Sequence, residues 1–127
     1  MQPLRYAWFW LVAGLLLLGV GFASALAPPP AGLASLNDKL LHTAGFLVFM
    51  VWFGGIFERR FLPAVALALA AYGLLIELLQ GLTHTRQAEE LDLVADVAGI
   101  LLGWLLSTAG LSRWCTTLES WLARPNP

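Results

Sequence analysis

The chain has little charge. Only 12% of its 127 residues are Asp, Glu, Lys or Arg, about half the share expected of a soluble domain. Hydrophobic residues make up 59%, and the mean hydropathy is +0.76. Too few polar groups remain to clothe a water-soluble surface, so a protein dissolved in lipid is expected. The net charge is −1, with Lys39 the only lysine; no basic field exists to hold nucleic acid. Cys115 is the only cysteine, which excludes an internal disulfide and any cysteine-based metal framework. It reads as a small hydrophobe. There are two histidines and no compact His-Glu-x-x-His motif, and no metal or cofactor is expected.

Long apolar runs are what the chain does have. A bilayer core requires about 20 apolar residues per helix, and four runs qualify: residues 6–26, 40–57, 61–82 and 91–108. The interruptions are residues 27–38, with Pro28-Pro29-Pro30, then Glu58-Arg59-Arg60, then residues 83–90. All are short, so consecutive helices should be antiparallel neighbours. The predicted fold is all-α, one domain over residues 1–127: a polytopic four-helix transmembrane bundle. The first run, ending in Ala25-Leu26-Ala27, also has the look of a secretory signal. Its length of about 20 residues exceeds a signal's apolar region, and Pro28 would adjoin the cut, so an uncleaved helix is expected.

Basic residues in the short loops set orientation. Arg5, Arg59, Arg60, Arg113 and Arg124 fall on one side, Lys39 and Arg86 on the other. The richer side is expected to be cytoplasmic, with both termini inside. In the tail, Leu111, Trp114, Cys115, Leu118 and Leu122 share one helical face. This predicts an interfacial amphipathic helix over residues 111–123, with Trp114 and Trp121 at headgroup level. Trp52 and Trp104 lie deeper and read as packing residues. Gly14, Gly19 and Gly21 on the first helix are candidates for a homodimer interface.

Ionisable groups inside apolar segments are costly and mark function by default. Asp38, His42 and Gly45 form one stripe on the second helix; Gly73, Glu77, Gln80 and His84 form another on the third. Asp92, Asp96, Gly99 and Gly103 repeat the pattern on the fourth. His42, Glu77 and Asp96 each lie four or five residues from the helix end, which is ~6–8 Å deep. Antiparallel packing would bring these three to one level, in an outward-facing polar pocket floored by glycine faces. Glu77 could pair with Lys39 or Arg86, and His42 with Asp38 or Glu77. Beneath the polar level, residues 48–53, 65–69 and 100–106 are apolar, which argues against a path through the membrane.

Three segments together resemble the VanZ-like family of bacterial membrane proteins: Asp38-Lys39-x-x-His42-x-x-x-Phe46, Glu77-x-x-Gln80, and Arg86-x5-Asp92-x3-Asp96-x-x-Gly99-x3-Gly103. The resemblance covers residues 37–103. It implies a four-helix protein of the bacterial cytoplasmic membrane, in a family named for an accessory factor in resistance to the glycopeptide antibiotic teicoplanin. Position 96, often asparagine in that family, is Asp96 here; it adds a potential charge that would favour a cation.

The leading expectation is a site that binds a cell-envelope lipid or its polar headgroup, lined by Asp38, Lys39, His42, Glu77, Gln80, Arg86, Asp92 and Asp96. Lys39 and Arg86 would meet phosphate, Arg bidentately. The alternative is a membrane-embedded hydrolase or transferase acting on a lipid-linked substrate. Its candidate catalytic residues are His42, Glu77 and Asp96. They would act as acid–base groups, or together with Asp92 as metal ligands.

Overall fold

The structure, a computed structural model, describes residues 1–27, 35–83 and 90–123, with side chains of the second helix from Asp38 onward. Five α-helices follow in order: α1 Ala7–Leu26, α2 Ser35–Ile56, α3 Leu62–Thr83, α4 Glu90–Ala109 and α5 Trp114–Leu122. Short 3-10 turns, Arg59–Phe61 and Leu111–Arg113, precede α3 and α5. No strand occurs among the described residues. The first four helices are long and apolar enough to cross a membrane, since 20 residues rise about 30 Å. The chain is a multi-pass membrane protein of all-α architecture.

Helix ends follow local chemistry. α2 begins at Ser35 rather than at residue 40, because hydropathy detects only the lipid-compatible part of a helix. Its first turn carries Asp38, where a carboxylate favours the positive end of the helix dipole. Pro63 sits in the first turn of α3, where its missing N–H costs nothing. Gly110 ends α4 at φ +136°, a conformation open to glycine and strained for other residues.

α2 is the central helix, packed against the other four. Its closest partner is α4, and glycine is the reason. A Cβ on Gly99 would collide with the Thr43 carbonyl oxygen, and one on Gly103 would lie 2.8 Å from that of Leu47. The two backbones therefore touch, as small residues permit in membrane interfaces. Phe46, Phe49, Met50, Leu62, Ala66, Leu69 and Ile100 fill the middle of the bundle. Outward, Leu16, Val20, Leu67, Leu78, Leu101 and Leu105 are exposed, as a lipid-facing surface requires.

α1 carries almost no polar side chain, yet it is tied in by hydrogen bonds to its backbone. Trp52 Nε1 donates to Trp10 O at 3.1 Å, Tyr72 Oη to Leu18 O at 2.6 Å, and Gln80 Nε2 to Ala25 O at 2.7 Å. Gly14 packs on Trp52 and Phe53, and Gly21 on Phe49 and Tyr72. Those two glycines are used within the chain, whereas Gly19 has nothing within 4 Å of a built Cβ.

The tail forms the expected short helix but departs from expectation at its start and at Trp114. Predicted as one interfacial helix over residues 111–123, it starts as a 3-10 turn, and α5 docks on the bundle. Cys115 is fully buried and Trp114 and Leu118 pack beside it. A 3-10 turn advances 120° per residue instead of 100°, so Ser112 turns inward and Leu111 stays exposed. Trp114 is thus a packing residue, with Trp10 and Trp52 at centroid distances of 5.3 and 5.0 Å. Trp121 remains exposed. Trp52 and Trp104 pack against the two cores, as expected.

The N-terminus and α5 lie at one end of the bundle, hereafter the terminal end. Glu119 of α5 accepts hydrogen bonds from the Arg5 and Tyr6 N–H groups at 2.7 and 2.9 Å. It caps α1 from the far end of the sequence, satisfying donors left free at a helix start.

Candidate functional site

The opposite, far end holds the start of α2, the end of α3 and the start of α4. Because α2 and α4 enter the bundle from this end side by side, residues 53–54 apart in sequence stand at the same depth. Two ionisable pairs result. Lys39 Nζ lies 3.2 Å from Asp92 Oδ1, and one turn deeper His42 Nδ1 lies 2.7 Å from Asp96 Oδ1. Asp92 and Asp96 are buried, Asp96 completely, while the Lys39 side chain is 26% exposed. Thr43, next to His42, donates from Oγ1 to Ala95 O at 3.1 Å. That bond locks the two helices in the register the pairs require.

The pairs differ from those the helical stripes suggest. The stripes offer Glu77 to Lys39 or Arg86, and Asp38 or Glu77 to His42; in the structure Lys39 and His42 both reach α4, while Arg86 lies outside the described residues. His42 and Asp96 do meet at one level, and Glu77 is buried on α3. A Cβ built on Gly73 would lie 2.6 Å from Asp96 Oδ2, so Gly73 is the α3 residue facing Asp96. The Glu77 backbone sits four residues on, about 6 Å nearer the far end, and its side chain, like any on a helix, leans back toward the preceding turn. Glycine at position 73 leaves the space that the Asp96 carboxyl occupies.

Gln80 is fully buried, but its amide serves the last turn of α1 rather than a neighbouring ionisable group. Its Oε1 accepts no hydrogen bond among the described residues. Gly45 has nothing within 4 Å of a built Cβ, so it is no part of a packed floor; Phe46, against Gly73, takes that place. Gly73, Gly99 and Gly103 do pack closely, as expected. His84, Arg86, Glu89, Arg124 and residues 28–34 of the Pro-rich loop lie outside the described residues.

A third group joins the pairs. Asp38, one turn before His42, offers a carboxylate oxygen, and donor atoms of Asp38, His42 and Asp92 all lie within 4.8 Å of one another. Beneath the His42–Asp96 pair the interior is closed by Phe46, Phe49, Met50 and Ile100. The polar groups therefore form a shallow cluster at one end of an apolar bundle. Such a cluster can orient an imidazole, exchange ion-pair partners and take up a charged ligand.

Polar residues at the terminal end give no sign of their role in the sequence. Gln2 Nε2 lies 2.7 Å from Ser112 O and 3.2 Å from Phe57 O, and the Gln2 N–H donates to Ile56 O at 2.9 Å. Arg59 donates to Thr108 O at 3.0 Å. They cap the ends of α2 and α4, and no local spacing announces a cap supplied from elsewhere in the chain. Comparison with known proteins finds no matching family model, no matching curated protein and no matching solved structure.

Proposed function

We propose that the chain is a VanZ-like protein of the bacterial cytoplasmic membrane, with both termini inside and its far-end cluster open to the outer leaflet. There it binds the headgroup of a cell-envelope lipid. The observation that carries this reading is the bonding of the far-end side chains to one another across α2 and α4. Ion pairs at headgroup depth can open to exchange one partner for a ligand without unravelling a helix. The excess of arginine in the terminal-end loops supports the orientation, and the VanZ-like signature supports a role in the envelope. Lys39 and Arg86 meet the phosphate, and Asp38, Asp92 and Glu77 take the polar groups beyond it.

The test is lipid extraction and mass spectrometry of protein purified in native membrane discs. Wild type should retain a phosphate-bearing lipid that Lys39→Ala and Arg86→Ala lose. Equal lipid profiles would end the proposal.

A second reading is favoured by the 2.7 Å bond between His42 and Asp96. A buried carboxylate that orients an imidazole is the arrangement of a general base with its positioning partner. On this reading the cluster hydrolyses or transfers a group of a lipid-linked substrate. Turnover of a lipid-linked phosphoester by the purified protein, abolished by His42→Ala, supports it; turnover unchanged by that substitution rejects it.

A further inference from the structure

We infer that Asp38, His42 and Asp92 form a binding site for a divalent transition-metal ion, completed by Asp96 as the positioning residue for His42. One donor atom of each ligand lies within 4.8 Å of the others, a spread that small side-chain movements contract around an ion. The cluster is more than a set of acids. The His42 side chain is only 9% exposed, and its Nδ1 is already held by Asp96 Oδ1 at 2.7 Å. With the proton on Nδ1, the Nε2 lone pair is left as the donor atom for an ion. A carboxylate fixing the far nitrogen of a ligating imidazole is the usual support of a metal-bound histidine. It sets the tautomer and raises the basicity of the ligand.

Ligand type points the same way. Among the described side chains of the cluster, Asp38 and Asp92 bring carboxylate oxygens beside the His42 imidazole, a mixed oxygen and nitrogen donor set. Asp92 has a second carboxylate oxygen beyond the Oδ1 held by Lys39, and it can serve both. One imidazole and two carboxylates suit Zn2+ or Mn2+ better than Mg2+, which favours oxygen alone. Three protein ligands leave coordination positions open. The ligands come from two helices, which is why no compact motif announces them. The inference uses the same cluster as the headgroup proposal but does not depend on a lipid.

The experiment uses the full chain, stripped with chelator and held in lipid-free detergent, so that failure here leaves the lipid test standing. Mn2+ is titrated in and followed by electron paramagnetic resonance, with Zn2+ as competitor. One Mn2+ per chain is expected, displaced by Zn2+ and showing nitrogen coupling from an imidazole. Asp38→Asn, Asp92→Asn and His42→Ala should abolish stoichiometric binding, and Asp96→Asn should weaken it about 10–100-fold. Lys39→Met should strengthen binding, because it removes a competing positive charge. If the cluster is only an ion-pair network, that substitution cannot do so. Glu58→Gln at the terminal end should change nothing. Absence of bound Mn2+ and Zn2+ at millimolar concentration, or binding without nitrogen coupling, would overturn the inference. So would weaker binding by Lys39→Met. The coupling and the Lys39 variant decide the matter even if His42→Ala fails to fold, which circular dichroism would show.

Discussion

The two ends of the bundle differ in one respect: among the described residues, ionisable side chains pair across two helices at the far end alone. At the terminal end, polar side chains bond mainly to backbone. Gln2 holds carbonyls at the end of α2 and at Ser112, Arg59 holds one at the end of α4, and Glu119 holds two N–H groups before α1. The Trp52 and Trp114 indoles do likewise, donating to Trp10 O and Val51 O. At the far end, Lys39 meets Asp92 and His42 meets Asp96. A side chain committed to a helix terminus cannot leave without exposing an orphan backbone group. A side chain bonded to another side chain can trade that partner for a ligand. The difference separates side chains that close helix ends from side chains that can exchange partners.

The sharpest way to break this comparison is Trp114→Ala. It empties the aromatic cluster of Trp10, Trp52 and Trp114 and should cost about 3–5 kcal/mol, read from detergent unfolding. Ion or lipid binding by the molecules that remain folded should be unchanged; a binding loss would show that the ends are coupled. Next is Gly99→Val, whose side chain would enter the Thr43 backbone. It should destabilise by about 1–3 kcal/mol and, by separating α2 from α4, also weaken far-end binding. Gly19→Val, with open space around it, is the matched control and should do neither unless a second copy packs there.

His42→Ala leaves Asp96 buried without its partner and should cost about 1–3 kcal/mol while removing binding. Glu119→Gln probes the other end through pH. Burial pushes the Glu119 carboxyl up, but hydrogen bonds from Tyr6, Trp10 and Arg5, with the Arg5 charge, outweigh it and hold the group below the usual carboxylate range. A carboxyl depressed in the folded state contributes stability above its unfolded value and loses it as pH falls through the folded one. Wild type should therefore lose this contribution on acidification, and Glu119→Gln should lack that part of the pH dependence. The smallest effect concerns Cys115, whose thiol is pushed up to about 12 by burial and by the Glu119 charge. Because the thiolate is the reactive form, maleimide should leave it unlabelled at neutral pH until the protein unfolds.

Much of this is legible in the residues. Four apolar runs mark four helices long enough to span, and the short interruptions imply antiparallel order. The gathering of Asp38, His42, Glu77, Asp92 and Asp96 near helix ends locates the polar end. Gly99 and Gly103 announce close packing, and they pack closely. The tail is less legible, because periodicity treats residues 111–123 as one continuous helix, whereas Gly110 and the following 3-10 turn rotate Leu111 out of the face. Trp114, a packing residue where an interfacial anchor is expected, shows that an amphipathic face does not say whether lipid or protein will cover it. Gln80 and Gln2 are opaque for another reason: their partners are backbone atoms, which carry no sequence signal.

The sequence by itself determined which residues share a helical face and how deep each lies along its own helix. Those properties depend only on the 3.6-residue period and the length of each apolar run. It could not determine which face meets which neighbour, because that is set by how closely two backbones can approach. Gly99 and Gly103 bring α4 onto α2, so His42 meets Asp96 and Lys39 meets Asp92. Gly73 makes room for Asp96. Tertiary packing therefore decided the partners, and with them the character of the site.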